Sequence, residues 1–149
     1  MSNAIYSVPV PKNEKVLSYK PGSPEKEAVK KALKALKSKM IEVPMVINGE
    51  RIKTKKRVAI HPPHETKHIL GYFHQEDKQH VKAAIDAALA AKSDWENMPW
   101  EDRAAIFLRA ADLLAGPFRA KMNAATMLAQ SKNVFQAVSY THLTLPTKA

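Results

Sequence analysis

The histidines are the side chains of this sequence whose type and spacing come nearest to a chemical site. The clustered members are His61, His64, His68, His74 and His80. Three or four histidines that converge with a water or a carboxylate can bind zinc. Pro62 and Pro63 prevent one continuous helix from presenting the first two histidines together, and no carboxylate follows at a matching spacing. We therefore predict no metal site and interpret these histidines as surface or turn residues.

Other catalytic signals are missing from the sequence. The 149 residues contain no cysteine, which excludes disulfides, cysteine-bound zinc and a thiolate nucleophile within this stretch. The four glycines are not clustered, so a glycine-rich phosphate loop is absent, and no nucleophile elbow is present either. Lys132, in "QSKN", follows a helical run, where a lysine is most often a surface residue. From the residues alone we predict no catalytic, cofactor-binding or metal-binding residue.

The first elements are predicted from caps and apolar spacing. Residues 1–22 show no apolar period and predict an extended arm. Ser23 before Pro24, with acidic residues in the next turn, predicts a hydroxyl-capped helix over 24–40 that ends before Pro44. Its predicted buried stripe comprises Val29, Leu33, Leu36 and Met40.

Short strands are predicted over residues 43–74. In "VPMVINGERIKT", apolar residues flank Asn48 and Gly49, a pair suited to the two positive φ angles of a type I′ hairpin turn. "RVAIHPPHETKHILGYFHQ" predicts two further strands, with Pro62-Pro63 and Glu65-Thr66 in the connection between them. Strands this short usually need a neighbouring element to be stable.

Three helices are predicted in the rest of the sequence, over 77–97, 101–115 and 117–130. The first begins near Asp77, and Gly116-Pro117 separates the second from the third. The apolar face of the first comprises Val81, Ala84, Ile85, Ala88, Leu89, Lys92 and Trp95. The second carries Ile106, Leu108, Ala110, Leu113 and Leu114, and the third carries Phe118, Met122, Ala125 and Leu128.

Charge and hydropathy limit the partners. The net charge is +10, and residues 1–60 hold 14 Lys and Arg against 5 Asp and Glu. One interpretation is a basic nucleic-acid-binding module built on helix 24–40 and "RIKTKKR". We favour the solvated face of a Lys-rich helix, because no aromatic residues interleave with the basic ones to stack on bases. No apolar run is long enough for a membrane span, and the N-terminus lacks the apolar core of a secretory signal, so we expect a cytoplasmic protein without nucleic-acid or membrane partners.

Read together, several segments resemble the 1-pyrroline-5-carboxylate dehydrogenase family, a branch of the aldehyde dehydrogenase superfamily also called L-glutamate γ-semialdehyde dehydrogenases. These segments are "SYKPGSPEKEAVKKALKAL", "VPMVINGERI" and "AAIDAALAAKSDWENMPWEDRAAIFLRAADLLAGPFRAKMNAATMLAQSKNVFQA". Trp95, Arg103 and "FLRAADLLAGPFRA" carry the most weight. The resemblance covers roughly residues 8–137 and marks 23–137 as the N-terminal part of an aldehyde dehydrogenase domain. Ser131 stands where many members have glycine.

The resemblance implies an α/β parent with a Rossmann-like NAD domain, a catalytic domain and an oligomerisation element. This chain would be a mainly α-helical fragment with short antiparallel β-hairpins. The parent would use NAD to oxidise L-glutamate γ-semialdehyde to L-glutamate in proline degradation, and would form a homo-oligomer. The family's catalytic cysteine and glutamate, and its cofactor turn, lie downstream, so we expect the fragment to be inactive and to expose apolar helix faces. A structural partner of dehydrogenase subunits is a further alternative.

The final segment, "VSYTHLTLPTKA", differs from everything before it. Residues 138–149 have no helical period, cap or partner strand, and relatives of the family continue differently after "QA". The encoded string resembles a translated sequencing adapter. We therefore predict a non-native tail over 138–149 and expect it not to pack.

Overall fold

The computed structural model describes residue 10 and residues 15–142. Within these residues the elements run in the order α1 (Pro24–Ser38), β1 (Ile41–Val43), β2 (Met45–Ile47), β3 (Glu50–Ile52), β4 (Arg57–Ile60), β5 (Gly71–His74), α2 (Lys78–Asn97), α3 (Trp100–Ala115), α4 (Arg119–Gln130) and α5 (Val134–His142). The mainly helical fragment with short strands is confirmed. Most of the predicted arm, and residues 143–149 of the predicted tail, lie outside the described residues.

Helix α1 begins as predicted but lacks the predicted hydroxyl cap and ends earlier. Ser23 occupies the N-cap position, yet its hydroxyl makes no cap hydrogen bond. Instead, the Glu25 carboxylate accepts a hydrogen bond from the Tyr19 backbone N–H at 3.2 Å, which ties the first turn to the preceding segment. The helix ends at Ser38 because Lys39 turns into extended backbone. Met40 therefore leaves the predicted stripe and is 58% exposed.

The hairpin prediction is confirmed in detail. Asn48 has a φ of 51° and Gly49 a φ of 80°, the two positive angles that a type I′ turn requires. Strands β2 and β3 pair antiparallel, with Met45 opposite Ile52.

A second sheet has the order β1-β5-β4. Strands β4 and β5 pair antiparallel, as the sequence predicts, whereas β1 pairs with β5 in parallel, with Ile41 opposite Gly71. The β1 pairing was not predicted, because parallel partners lie far apart in sequence and leave no local turn signal. A Cβ atom added to Gly71 would lie 2.1 Å from the Ile41 carbonyl oxygen, so only glycine permits this approach.

The helices α2 to α4 begin within two residues of their predicted starts. The Asp77 Oδ1 atom accepts hydrogen bonds from the backbone N–H groups of Gln79 at 2.9 Å and His80 at 3.0 Å, which caps α2. No helix in the described part of the chain is long and apolar enough to cross a membrane.

The main buried cluster joins the segment before α1 to the helices α1, α4 and α5. Tyr19, Val29 and Val138 are each at most 6% exposed, and Leu17, Leu33, Ala120, Met127 and Val134 pack against them. The prediction that residue 138 would not pack is therefore wrong. Helix α5 continues through it because a reciprocal cap between Asn133 and Gln136 starts the helix just upstream.

Helix α4 supplies buried residues that its predicted face did not include. Asn123 and Ala124 are fully buried, whereas Phe118 and Met122 are 44% and 36% exposed. Among the predicted apolar residues of this helix, Leu128 is buried. The packing of α4 against both α1 and α5 decides which side faces the core.

Candidate functional site

The clustered histidines contact different groups. His61 Nδ1 lies 3.0 Å from the backbone oxygen of His68, and His64 Nδ1 lies 2.8 Å from Ser131 Oγ. His80 Nδ1 lies 2.7 Å from Asp77 Oδ1. Among the residues that the structure describes, no group of three or more His, Cys, Asp and Glu side chains could hold a metal ion.

His74 departs from the surface or turn position predicted for it. It lies on β5 and is 5% exposed. Its Nε2 atom lies 3.1 Å from Glu42 Oε1, and its Nδ1 atom accepts a hydrogen bond from the Thr54 backbone N–H at 2.8 Å. His74 lies on the covered face of the central strand β5, whereas the neighbouring Phe73, on the opposite face, is 40% exposed.

Glu42 is the centre of this polar cluster. The Lys53 ammonium donates a hydrogen bond to Glu42 Oε2, and the Arg57 guanidinium lies 4.0 Å from Oε1. The hydrogen bond from Lys53 lowers the pKa of the Glu42 carboxyl, with smaller contributions from His74. A carboxylate held by these partners is poorly suited to accept a proton as a base near neutral pH. We therefore interpret the cluster as a structural tie between β1, β5 and the segment that follows the hairpin.

Ser131 and Lys132 follow the end of α4. Ser131 closes the helix with a φ of 53° and a ψ of 34°, the left-handed conformation in which glycine is preferred. A glycine, which the resemblance leads us to expect at this position, would adopt this conformation without steric cost. Lys132 is half-buried, so its predicted surface position is only partly realised.

An apolar groove of about 550 Å³ lies between the hairpin and α2. Its lining comprises Met45, Val46, Ile47, Glu76, His80, Val81, Ala84, Ile85 and Ala88. The sequence predicts the α2 side of this groove through its helical period. The hairpin side was missed, although the apolar run of β2 marks it, because no sequence signal indicates which helix β2 faces.

The helices α2 and α3 together carry nine exposed large apolar residues, and neither helix contains a buried residue. We define the α2–α3 apolar surface as Val81, Ile85, Leu89, Trp95, Ile106 and Phe107. Their exposures range from 41% for Trp95 to 66% for Phe107. The Trp95 and Phe107 rings meet edge to face with centroids 6.4 Å apart, and this contact connects the apolar face of α2 to that of α3. The expectation of exposed apolar helix faces is confirmed.

Comparison with known proteins places these elements in a family context. Residues 51–144 match the model of the aldehyde dehydrogenase family. A delta-1-pyrroline-5-carboxylate dehydrogenase from Agaricus bisporus is 46% identical over 135 residues, which are 90% of this chain and 25% of that protein. The human mitochondrial protein of the same name is 45% identical over 125 residues, covering 84% of this chain and 22% of its own. The chain thus spans about a quarter of the length of the curated relatives that it matches.

The fold is equally similar to a solved structure. The delta-pyrroline-5-carboxylate dehydrogenase of Mycobacterium tuberculosis, in a crystal structure with bound NAD, superimposes with a TM-score of 0.88 at 46% identity. The superposition covers 91% of this chain and 26% of the mycobacterial chain. The described arrangement of helices and strands therefore recurs as a contiguous part of a much larger molecule.

Proposed function

Because this chain belongs to the aldehyde dehydrogenase family, we propose that it is the N-terminal part of an enzyme that uses NAD to oxidise L-glutamate γ-semialdehyde to L-glutamate. The observation that carries the proposal is the joint agreement of sequence and fold with the mycobacterial dehydrogenase, 46% identity with a TM-score of 0.88. The relatives are named for pyrroline-5-carboxylate, the cyclic form of the semialdehyde, which makes this small molecule the substrate we propose.

The residues of this chain serve as scaffold in the proposed enzyme. Oxidation of an aldehyde through a covalent thioester needs a cysteine thiolate, and the chain contains no cysteine. The thiolate, and the glutamate that activates water, must come from other residues of the subunit. The chain alone is therefore inactive in this proposal.

The glycines of the chain do not form a glycine-rich turn, because the four are far apart in the sequence and Gly22, in the turn before α1, stands alone. A dinucleotide needs a glycine-rich turn whose backbone approaches the pyrophosphate at a helix N-terminus. Here Gly71 serves the contact between β1 and β5, and Gly49 serves the hairpin turn. Gly116 follows the C-terminal end of α3, where backbone carbonyls rather than N–H groups are presented. In this proposal NAD binds to residues outside this chain.

Assembly and location belong to the same proposal. We propose a homo-oligomer in the cytoplasm, on the strength of the family resemblance and of similarity to a bacterial enzyme. The human relative is named mitochondrial, so the location does not follow from family membership. Fractionation of the source cells, with detection of this chain by antibody, tests the location directly.

Three basic side chains of the predicted nucleic-acid-binding region have partners within the protein, which supports the enzyme interpretation. Lys37 Nζ lies 2.5 Å from Glu65, and Lys53 is paired with Glu42. The Arg57 guanidinium stacks 4.5 Å above the Tyr72 ring centroid. Side chains with partners in the protein contribute less to a phosphate-binding surface, because each would have to exchange its partner for phosphate.

A chimeric enzyme tests the proposal. Residues 15–137 of this chain replace the matching segment of the mycobacterial dehydrogenase, and NADH formation from pyrroline-5-carboxylate is followed by absorbance. We expect kcat/KM within about tenfold of the parent, a loss of at most roughly 1.4 kcal/mol of transition-state stabilisation. A matched chimera with Leu128→Asp should be inactive, because Leu128 is 5% exposed and a charge there disrupts the scaffold. A folded chimera that binds NAD but forms no NADH would overturn the proposal.

A further inference from the structure

We propose that His74 is a pH-sensitive switch within the fold: protonation of its ring transfers the hydrogen bond of Nδ1 from the backbone N–H group of Thr54 to the backbone carbonyl of the same residue. The switch links the pH of the surroundings to the turn between β3 and β4, residues 53–56. It involves only side chains and backbone groups of this chain, so it does not depend on the proposed function.

His74 is an ionisable side chain that is almost removed from water. It is 5% exposed and lies on the covered face of the central strand β5. An imidazole ordinarily gains or loses its proton between about pH 5 and pH 8. Each nitrogen of a buried ring needs a hydrogen-bond partner in each charge state, because an unpartnered polar group costs free energy. The neighbours of the two ring nitrogens therefore decide which charge states the fold accepts.

The Nδ1 atom of His74 has a partner for either charge state. It lies 2.8 Å from the backbone nitrogen of Thr54 and also 2.8 Å from the backbone oxygen of Thr54. In the neutral ring with hydrogen on Nε2, Nδ1 is an acceptor and takes the N–H group. In the charged ring both nitrogens are donors, so Nδ1 bonds to the carbonyl oxygen and the Thr54 N–H group loses this acceptor.

The Nε2 atom faces an acceptor in both charge states, because Glu42 Oε1 lies 3.1 Å away. The hydrogen bond from Lys53 holds the pKa of the Glu42 carboxyl below its ordinary 4.5, with smaller contributions from His74. The carboxylate is therefore ionised throughout the pH range in which an imidazole ordinarily gains its proton. A charge-assisted hydrogen bond is roughly twice as strong as a neutral one, so protonation of the ring strengthens the contact with Glu42.

The charged groups around the ring act in opposite directions. Glu42 on β1 contacts the ring directly, and its side chain is 35% exposed. Lys53, which follows β3, and Arg57, opposite the histidine on β4, carry positive charge but are more than half exposed. Lys55 and Lys56 of the turn are exposed as well. Water screens the repulsion from exposed groups more than the attraction across a direct contact, so Glu42 is the group that stabilises the charged ring.

The turn on which the switch acts is tied to β5 through Thr54. Its Oγ1 atom lies 2.9 Å from the backbone oxygen of Lys56 and 3.1 Å from that of Gln75. The N–H and carbonyl groups of Thr54 belong to two successive peptide units. Protonation of the ring therefore moves the attachment of the turn from one peptide unit to the next, while the antiparallel pairing of β4 with β5 involves other groups and is retained.

Nuclear magnetic resonance of the 149-residue chain tests the switch without any substitution. The chain is labelled with nitrogen-15, and the ring nitrogens of His74 and the backbone amide of Thr54 are followed from about pH 8 to about pH 5. At the upper end we expect hydrogen on Nε2 alone and a Thr54 amide that is protected from exchange. At the lower end we expect hydrogen on both ring nitrogens and a Thr54 protection factor, corrected for the intrinsic exchange rate, that is at least about tenfold lower.

Two matched variants test the part of Glu42. Glu42→Gln keeps a hydrogen-bond acceptor beside Nε2 but removes its charge, whereas Glu96→Gln makes the same change at an exposed position of α2. We expect the pH midpoint of the ring change to fall by about one unit in Glu42→Gln, a tenfold change in the protonation equilibrium, and to stay the same in Glu96→Gln. If Glu42→Gln does not fold, the titration of the unsubstituted chain still decides the matter.

Four results would overturn the inference. The first is hydrogen on Nδ1 at the upper end of the titration, and the second is a ring that stays neutral at the lower end. The third is a Thr54 protection factor that does not change while the ring gains its proton. The fourth is an equal shift of the midpoint in the two variants, since the charge of Glu42 would then have no specific part in the switch.

Discussion

The hydrogen bond between Tyr19 and Asn123 should contribute measurably to the free energy of unfolding. The Asn123 Nδ2 group donates a hydrogen bond to the Tyr19 hydroxyl oxygen at 3.1 Å. Asn123 is 0% exposed and Tyr19 is 6% exposed. Tyr19→Phe removes the acceptor and leaves a buried N–H group without a partner. A stranded group of this kind costs about 1–3 kcal/mol.

Urea unfolding followed by ellipticity measures this loss. The transition midpoint should fall while the slope with urea stays constant, because the exposed area of the native chain hardly changes. Tyr72→Phe is the matched control, since it removes the same hydroxyl but keeps the ring beneath Arg57. We expect the control to change the free energy of unfolding by less than about 0.5 kcal/mol.

A double-mutant cycle decides whether the bond itself is responsible. Asn123→Leu replaces the amide by an apolar group of similar volume, so the double variant with Tyr19→Phe leaves no stranded N–H group. The double variant should be more stable than the sum of the single losses by about 1 kcal/mol or more. Additivity within about 0.5 kcal/mol would refute the reasoning, because it would show that the two side chains act independently.

Further substitutions test other parts of the fold. Ser131→Gly should have a free energy of unfolding about 0.5–1 kcal/mol higher than Ser131→Ala, because both variants lose the hydroxyl that contacts His64 and only glycine adopts a φ near 53° without steric cost; equal melting temperatures would contradict this. Gly71→Ala should lower it by about 3 kcal/mol or more through the clash with Ile41 of β1, and an unchanged urea midpoint would disprove that contact. Val138→Ala should lower it by about 0.5–2 kcal/mol through lost burial, whereas no loss would show that α5 does not pack. Lys53 holds the pKa of the Glu42 carboxyl below its ordinary 4.5, so the ion pair stabilises the fold above about pH 4.5 and this stabilisation is lost as the pH falls through the folded pKa. Glu42→Gln should therefore flatten the acid side of a plot of melting temperature against pH. An unaltered acid side would count against the ion pair.

Local signals in the sequence predicted the elements whose hydrogen bonds close within a few residues. The Asn48-Gly49 turn and the Asp77 cap are both formed as their residue types indicate. The apolar stripe of α2 was also readable, because a helical period needs no knowledge of the partner. The absence of cysteine likewise excludes a thiolate nucleophile from this chain, because composition alone decides that point.

Long-range pairing decided the rest. Strand β1 follows directly on the region where the sequence predicted a longer α1. Its parallel partner β5 lies beyond three other strands in the sequence, so no local signal indicates this pairing. The burial of His74 and Val138 follows from the neighbours that β5 and α5 acquire in the fold. That residues 138–149 are non-native stays a prediction, and sequencing the genomic DNA across their codons would test it.

The sequence by itself therefore determined the type and approximate bounds of α1 to α4, the hairpin turn and the absence of a cysteine nucleophile, since each depends on composition or on backbone and side-chain chemistry within a few residues. Only the tertiary structure decided which apolar faces are covered. The stripes of α1 and α2 have the same helical period, yet Val29 is 5% exposed and Ile85 is 55% exposed. The difference arises because α1 packs against α4, whereas the face of α2 remains open, and burial depends on the neighbour rather than on the period.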